Sequence, residues 1–136
     1  MLKVTRLADY AVSIISSFDN IENEILSSQD IVKKTGLQKA TVNKLLSKLT
    51  KKNFLQTFRG VNGGYRLKRD LAKISIKELV EAIEGPVSLT DCLNNNANNC
   101  NLFHVCGTKN AWGMVNAAVK NTLDNIKIQD IKNNKF

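Results

Sequence analysis

No apolar run in this chain is long enough to span a membrane or serve as a secretory signal, because Asp9, Tyr10 and Ser13 interrupt the first hydrophobic stretch. A cytoplasmic protein without a membrane partner is therefore expected, in a reducing compartment where a disulfide framework does not persist. No GxxxxGK followed by Ser or Thr occurs, which excludes a nucleotide-binding P-loop. No internal repeat is visible. Histidine occurs once, at His104, with no evident orienting acid beside it, and no acid–base constellation surrounds the cysteines, so an enzyme is not expected. Cysteine is confined to Cys92, Cys100 and Cys106, an odd number that does not pair off into disulfides. What is present is a chain of 136 residues, 43% of them apolar, sufficient for about one domain with a modest core.

Acid is nearly missing from one segment. Between Lys33 and Lys73, twelve Lys or Arg face a single acid, Asp70, for a local charge of +11, whereas the remaining eight bases and eleven acids sum to −3. Charge segregated in this way is the footprint of a polyanion-binding surface, with DNA or RNA as first candidates. A solvated Lys-rich surface is the plain alternative.

Hydrophobic spacing places helices around this segment. Leu7, Ala8, Ala11, Val12, Ile14, Ile15 and Phe18 form one broad face of a helix over 5–18, and Asp19 and Asn20 break the pattern. Ser27 and Ser28, followed by Asp30, predict the capped start of a short helix that Thr35 and Gly36 end. A third helix, about 38–52, buries Val42, Leu45, Leu46 and Leu49. Its opposite face offers Gln38, Lys39, Thr41, Asn43, Lys44, Ser47, Lys48 and Lys51 to phosphates and base edges. A short helix, a Gly-containing turn and an amphipathic helix with a polar N-terminal half make a helix-turn-helix, whose second helix enters the major groove.

Phe54 to Arg59 and Tyr65 to Leu67 predict two strands joined by the loop from Gly60 to Gly64, which together make a hairpin wing. Arg59, Gly60, Gly63, Gly64 and Tyr65 are its candidate DNA residues, because the glycines let backbone approach a surface. Ser75 starts another helix, stopped at Gly85-Pro86. Residues 90–110 are dominated by Asn and hold the three cysteines and His104. A last helix then begins near Asn110, with a stripe of Trp112, Val115, Val119, Leu123 and Ile126. So long a helix on so small a globule suits a homodimer seam; packing back on its own domain is the alternative. The fold class expected is mainly α, a winged helix-turn-helix over 1–86, a cysteine-bearing loop over 87–109 and a dimerisation helix and tail over 110–136.

Three thiolates in a polar loop are suited to an iron–sulfur cluster or to zinc. Structural zinc prefers a close pair of cysteines separated by two to four residues, which is missing here, while Cys100, His104 and Cys106 with Cys92 supply four possible donors. A thiol switch without metal is a third reading. His104 is the local candidate for a fourth ligand.

The residues Leu7-Ala8-Asp9-Tyr10-Ala11, the third-helix run Thr41-Val42-Asn43-Lys44-Leu45-Leu46-Ser47-Lys48-Leu49, the wing RGxxGGYxL from Arg59 to Leu67, the Glu84-Gly85-Pro86 stop and the three cysteines resemble the Rrf-two family of bacterial winged-helix regulators. The family includes IscR, NsrR and regulators of the SUF cluster-assembly operon. The C-x7-C-x5-C spacing followed by Asn110-Ala111-Trp112 is most similar to the last group. The resemblance, which runs from Leu2 to about Leu123, implies a homodimeric regulator that binds a palindromic promoter duplex and holds a 2Fe–2S or 4Fe–4S cluster on Cys92, Cys100 and Cys106. It further implies that Asp9 of the partner subunit is a second candidate for the fourth ligand. The function so implied is control of cluster-assembly genes. A nitric-oxide or redox-sensing repressor of the same family, or a cofactor-free repressor, is the alternative.

Overall fold

In a computed structural model, residues 2–19, 23–94 and 100–134 are described. Asn20, the centre of the cysteine loop at 95–99, and the last two residues of the tail lie outside the described residues. The chain is mainly helical with one two-stranded antiparallel sheet, as expected.

Helix α1 (Arg6–Ser16) starts where the Thr5 hydroxyl accepts from the Ala8 amide, and it buries Ala8, Ala11, Ile14 and Ile15 at helical spacing. Helix α2 (Ser28–Thr35) carries a reciprocal capping box: the Ser27 hydroxyl accepts from the Asp30 amide and the Asp30 carboxylate accepts from the Ser27 amide. It ends at Gly36, whose φ of 73° is the left-handed conformation that a residue without Cβ adopts freely. Helix α3 (Lys39–Lys51) follows and drives Val42, Leu45, Leu46 and Leu49 into the core. Helix α2 is thus held by local signals at each end, and α3 by its apolar face.

Strands β1 (Leu55–Phe58) and β2 (Gly64–Leu67) pair in the register Leu55 with Leu67 and Phe58 with Gly64. A third stretch of backbone joins them: Leu26 and Tyr65 exchange two hydrogen bonds, 2.9 and 2.8 Å, tying the wing to the approach to α2. That contact is why position 64 is glycine, since a Cβ there would lie 2.4 Å from the Leu26 carbonyl oxygen. Gly64→Ala is accordingly expected to destabilise the protein by about 2 kcal/mol, as overpacking against backbone does. The midpoint of urea unfolding checks this, and a midpoint equal to wild type would show that the bridge yields without cost.

After a 3-10 turn at Leu71–Lys73, helix α4 (Ile76–Glu84) opens with a second capping box, Ser75 with Glu78, and buries Leu79, Val80 and Ile83. A short 3-10 turn at Asp91–Leu93 leads toward the cysteine segment, and α5 (Lys109–Asn125) follows it. The periodic stripe expected through Ile126 stops one residue earlier, because Ile126 is extended and its carbonyl accepts from the Ile76 amide at 3.0 Å. A further helix, α6 (Ile128–Lys132), was not anticipated. It packs on α1 and on the 3-10 turn at Leu71–Lys73, and its Ile128 is fully buried in the same core as α1 and α4. Lys132 donates to the Phe18 carbonyl and pairs with Asp19, which also pairs with Lys34. The Lys132 hydrogen bond first, then that of Lys34, holds the Asp19 carboxyl below its usual range. No described helix is long and apolar enough to cross a membrane.

Candidate nucleic-acid interface and cysteine site

The apolar face of α3 is consumed by the core, so its other face is presented outward with Gln38, Lys39, Asn43, Lys44, Ser47 and Lys51 exposed and Thr41 half-buried. No acid lies in its first turn. Lys39, Lys44 and Arg59 have no side-chain partner among the described residues, so their charge is available to a polyanion.

Lys48 leaves this face. Its ammonium donates to the Ile83 carbonyl at 2.6 Å, at the C-terminal end of α4, where a helix has unpaired carbonyls and a negative pole. Its position at the edge of the apolar stripe is what allowed the sequence to place it on the outer side.

The wing divides in the same manner. Arg59, Gly60, Val61 and Asn62 form an exposed tip, with Val61 entirely in solvent. Gly63 and Gly64 are half-buried and serve the fold: a Cβ on Gly63 would lie 2.3 Å from the Phe58 carbonyl oxygen. Tyr65 packs against the core. Arg66 lies over the Phe58 ring at 4.6 Å, a cation–π contact across the hairpin that braces the strand ends.

The three cysteines are all free thiols and all half-buried. Cys92 lies in the 3-10 turn, its Sγ 3.2 Å from the Thr90 hydroxyl. The Cys100 carbonyl accepts from the Phe103 amide at 3.1 Å. Cys106 stands just before α5, 3.4 Å from the Thr108 hydroxyl, and that hydrogen bond, helped by the Thr108 amide, lowers its thiol pKa. His104 is exposed, edge-on to Phe103 with ring centroids 5.3 Å apart, and Lys109 covers the same Phe103 ring at 3.4 Å. Asp9 is exposed in the first turn of α1.

Among the described residues, no three Cys, His, Asp or Glu side chains come together closely enough to hold a metal ion. The chain therefore supplies a donor set of the right chemistry, soft thiols with one biased toward thiolate, without drawing it into one constellation. His104 shares a segment with Cys100 and Cys106, while Asp9 sits on a different element.

Sequence reasoning missed the ties that connect this segment to its surroundings. Asn116, buried in α5, accepts from the Leu89 amide at 3.1 Å. Glu84 accepts from the Thr5 amide at 3.0 Å and from the Thr5 hydroxyl, joining the end of α4 to the start of α1. A polar residue inside the stripe of α5 was the one available signal. Between α5 and the α4 end runs an apolar groove of about 680 Å³, lined by Val80, Pro86, Val87, Leu89, Trp112, Val115, Val119 and Leu123 among others.

Comparison with known proteins agrees with this architecture. Residues 4–134 match the family model Rrf2, described as an iron-dependent transcriptional regulator. The chain is 30% identical over 131 residues to the HTH-type transcriptional regulator NsrR of Bacillus licheniformis, covering 96% of this chain and 92% of that one. It is 26% identical over 135 residues to IscR of Klebsiella pneumoniae, covering 98% and 82%. In fold it is similar to CymR, the global cysteine regulator of B. subtilis, with a TM-score of 0.74, 22% identity and 98% of both chains covered. These relatives are regulators of transcription and not enzymes. The chain belongs to the Rrf2, or Rrf-two, family of DNA-binding transcriptional regulators.

Proposed function

We propose that this regulator senses an iron–sulfur cluster held by Cys92, Cys100 and Cys106 and, as a cytoplasmic homodimer, controls promoters of cluster-assembly genes. The observation that carries the reading is the position of the thiols: three free cysteines lie in the segment that leads into α5, in a chain whose recognition helix and wing tip present unpaired positive charge. The C-x7-C-x5-C spacing supports the assembly-gene assignment. When bound, the cluster supplies a centre reactive toward oxidants and nitric oxide. His104 and the partner subunit's Asp9 are the candidates for the remaining coordination position.

Several features of α5 support the dimer. Its Trp112, Met114 and Val115 are exposed, with Ala111, Ala117 and Ala118 small enough to let a second helix approach. Two copies related by a twofold axis then present two α3 helices to half-sites about one helical turn apart, hence a palindromic operator. Release of the thiols relaxes the segment before α5. The Leu89–Asn116 hydrogen bond passes the change to α5, and the separation of the recognition helices alters. For DNA contact we assign Gln38, Lys39, Thr41, Asn43 and Lys44 to the major groove and Arg59 with Gly60 to the adjacent minor groove.

Anaerobic purification tests the cofactor. The expected result is a coloured protein containing iron and sulfide, whose DNA affinity changes by about 5- to 150-fold on cluster removal, the range of allosteric couplings. Cys92→Ala is expected to abolish the colour and remove that difference. A colourless, iron-free protein whose DNA binding ignores Cys92→Ala would falsify the cluster reading. It would favour a cofactor-free repressor with a thiol or zinc site.

A further inference from the structure

The last turn of α4 is where three parts of the molecule meet. From the recognition helix, Lys48 donates to the Ile83 carbonyl at 2.6 Å. From the start of α1, the Thr5 amide donates to Glu84 at 3.0 Å. Beyond Gly85 and Pro86 the chain passes Leu89, held to Asn116 of α5, and reaches Cys92. The same turn walls the apolar groove against α5.

Helix α4 has no basic residue in its last turn, so its terminal carbonyls receive no cation from within the helix. Lys48 supplies one from outside. A lysine on a DNA-reading helix has an obvious alternative in the phosphate backbone, one turn along from Lys44, yet its half-buried ammonium is committed to a protein carbonyl. Among the described residues, no other side-chain hydrogen bond runs from α3 to α4. An ammonium on a four-carbon stem fixes distance and direction at a helix end in a way that apolar contacts, being non-directional, do not.

We propose that Lys48 is a positioning residue that couples the cysteine segment and α5 to the recognition helix, by fastening α3 to the turn of α4 that leads into that segment. Displacement of residues 85–92 or of α5 carries the Ile83 carbonyl with it, and Lys48 transmits the displacement to the DNA-reading face. The proposal rests on the sensing function given above, and its test separates the two.

Lys48→Met keeps the stem and removes the donor; Lys48→Arg restores a donor. DNA affinity is measured for each with the cluster present and after chelation. Wild type and Lys48→Arg are expected to show the state-dependent difference, and Lys48→Met to bind with a loaded-to-stripped ratio within about twofold of one. The dependence of affinity on salt is expected to be the same in Lys48→Met as in wild type, because no phosphate contact is lost. A second readout needs no cluster. With Cys100→Ser and Cys106→Ser leaving Cys92 as the only thiol, its alkylation rate is expected to change when DNA binds, since coupling is reciprocal, and to be indifferent to DNA once Lys48→Met is added. A full state-dependent ratio in Lys48→Met, or a salt slope reduced by about 0.9 for a lost phosphate contact, overturns the proposal. If wild type itself shows no ratio, the sensing function fails, and the alkylation experiment alone decides the coupling: DNA-dependent alkylation that survives Lys48→Met, or its absence in wild type, overturns it.

Discussion

Raising salt from about 50 to about 200 mM is expected to weaken binding to a palindromic promoter duplex by about 10³- to 10⁵-fold, the loss that accompanies neutralisation of about 6–10 phosphates. The expectation comes from which charges are free and not from the net charge. Of the bases between 33 and 73, Lys34 is held by Asp19 and Glu24, Lys48 by Ile83, Arg69 by Glu78, and Arg66 lies over Phe58. Lys39, Lys44 and Arg59 are exposed and unpartnered among the described residues, with Lys33, Lys51 and Lys52 exposed beside them, and the proposed dimer would double the set. Fluorescence anisotropy across a salt series measures the slope directly. Lys44→Ala and Arg59→Ala should each flatten it, by about 0.9 per phosphate contact removed. A slope near zero, or one untouched by both changes, would mean that the basic face does not meet DNA.

Ile128→Ala is expected to cost about 2–5 kcal/mol, the range for emptying a fully buried Ile site. In thermal unfolding that corresponds to a midpoint lower by about 10 °C. Ile128 has no exposed surface, and its amide donates to the Ile74 carbonyl at 2.9 Å while the Ile126 carbonyl receives the Ile76 amide, so the strand-like step between α5 and α6 is stitched to the entry of α4. The buried Ser75 hydroxyl reinforces it by donating to Asp124 at 2.9 Å. Ile126→Ala, at a half-buried position, provides the control and should cost less. An Ile128→Ala protein that melts with wild type would detach the tail from the core.

That tail also marks where reading the sequence ran out. The caps of α2 and α4 were legible because Ser27 with Asp30, and Ser75 with Glu78, act within one helical turn, and Gly36 announces a left-handed stop without help from the rest of the fold. Residues 126–132 carry no comparable local signal. Their isoleucines acquire meaning only against Ile74 and α1, which lie far away in sequence, so Ile126 read as one more residue of the α5 stripe. The outer face of α3 was readable from periodicity, but the edge position of Lys48 was not, because its partner is the end of another helix. In the wing, five residues containing three glycines read as one tight loop. The structure separates an open Gly60 from Gly63 and Gly64, whose missing Cβ atoms make room for backbone. For the cysteines, closeness along the chain marked candidate donors, and among the described residues they do not converge.

The backbone bridge between Leu26 and Tyr65 ties the hairpin to the segment that leads into the helix-turn-helix. If the wing tip meets the minor groove as proposed, such a tie favours a duplex whose minor groove lies at a fixed offset from the major-groove site. Base pairs that no side chain touches then influence affinity through the stiffness and groove width they impart. Part of the operator's identity is in that case written in how the DNA bends.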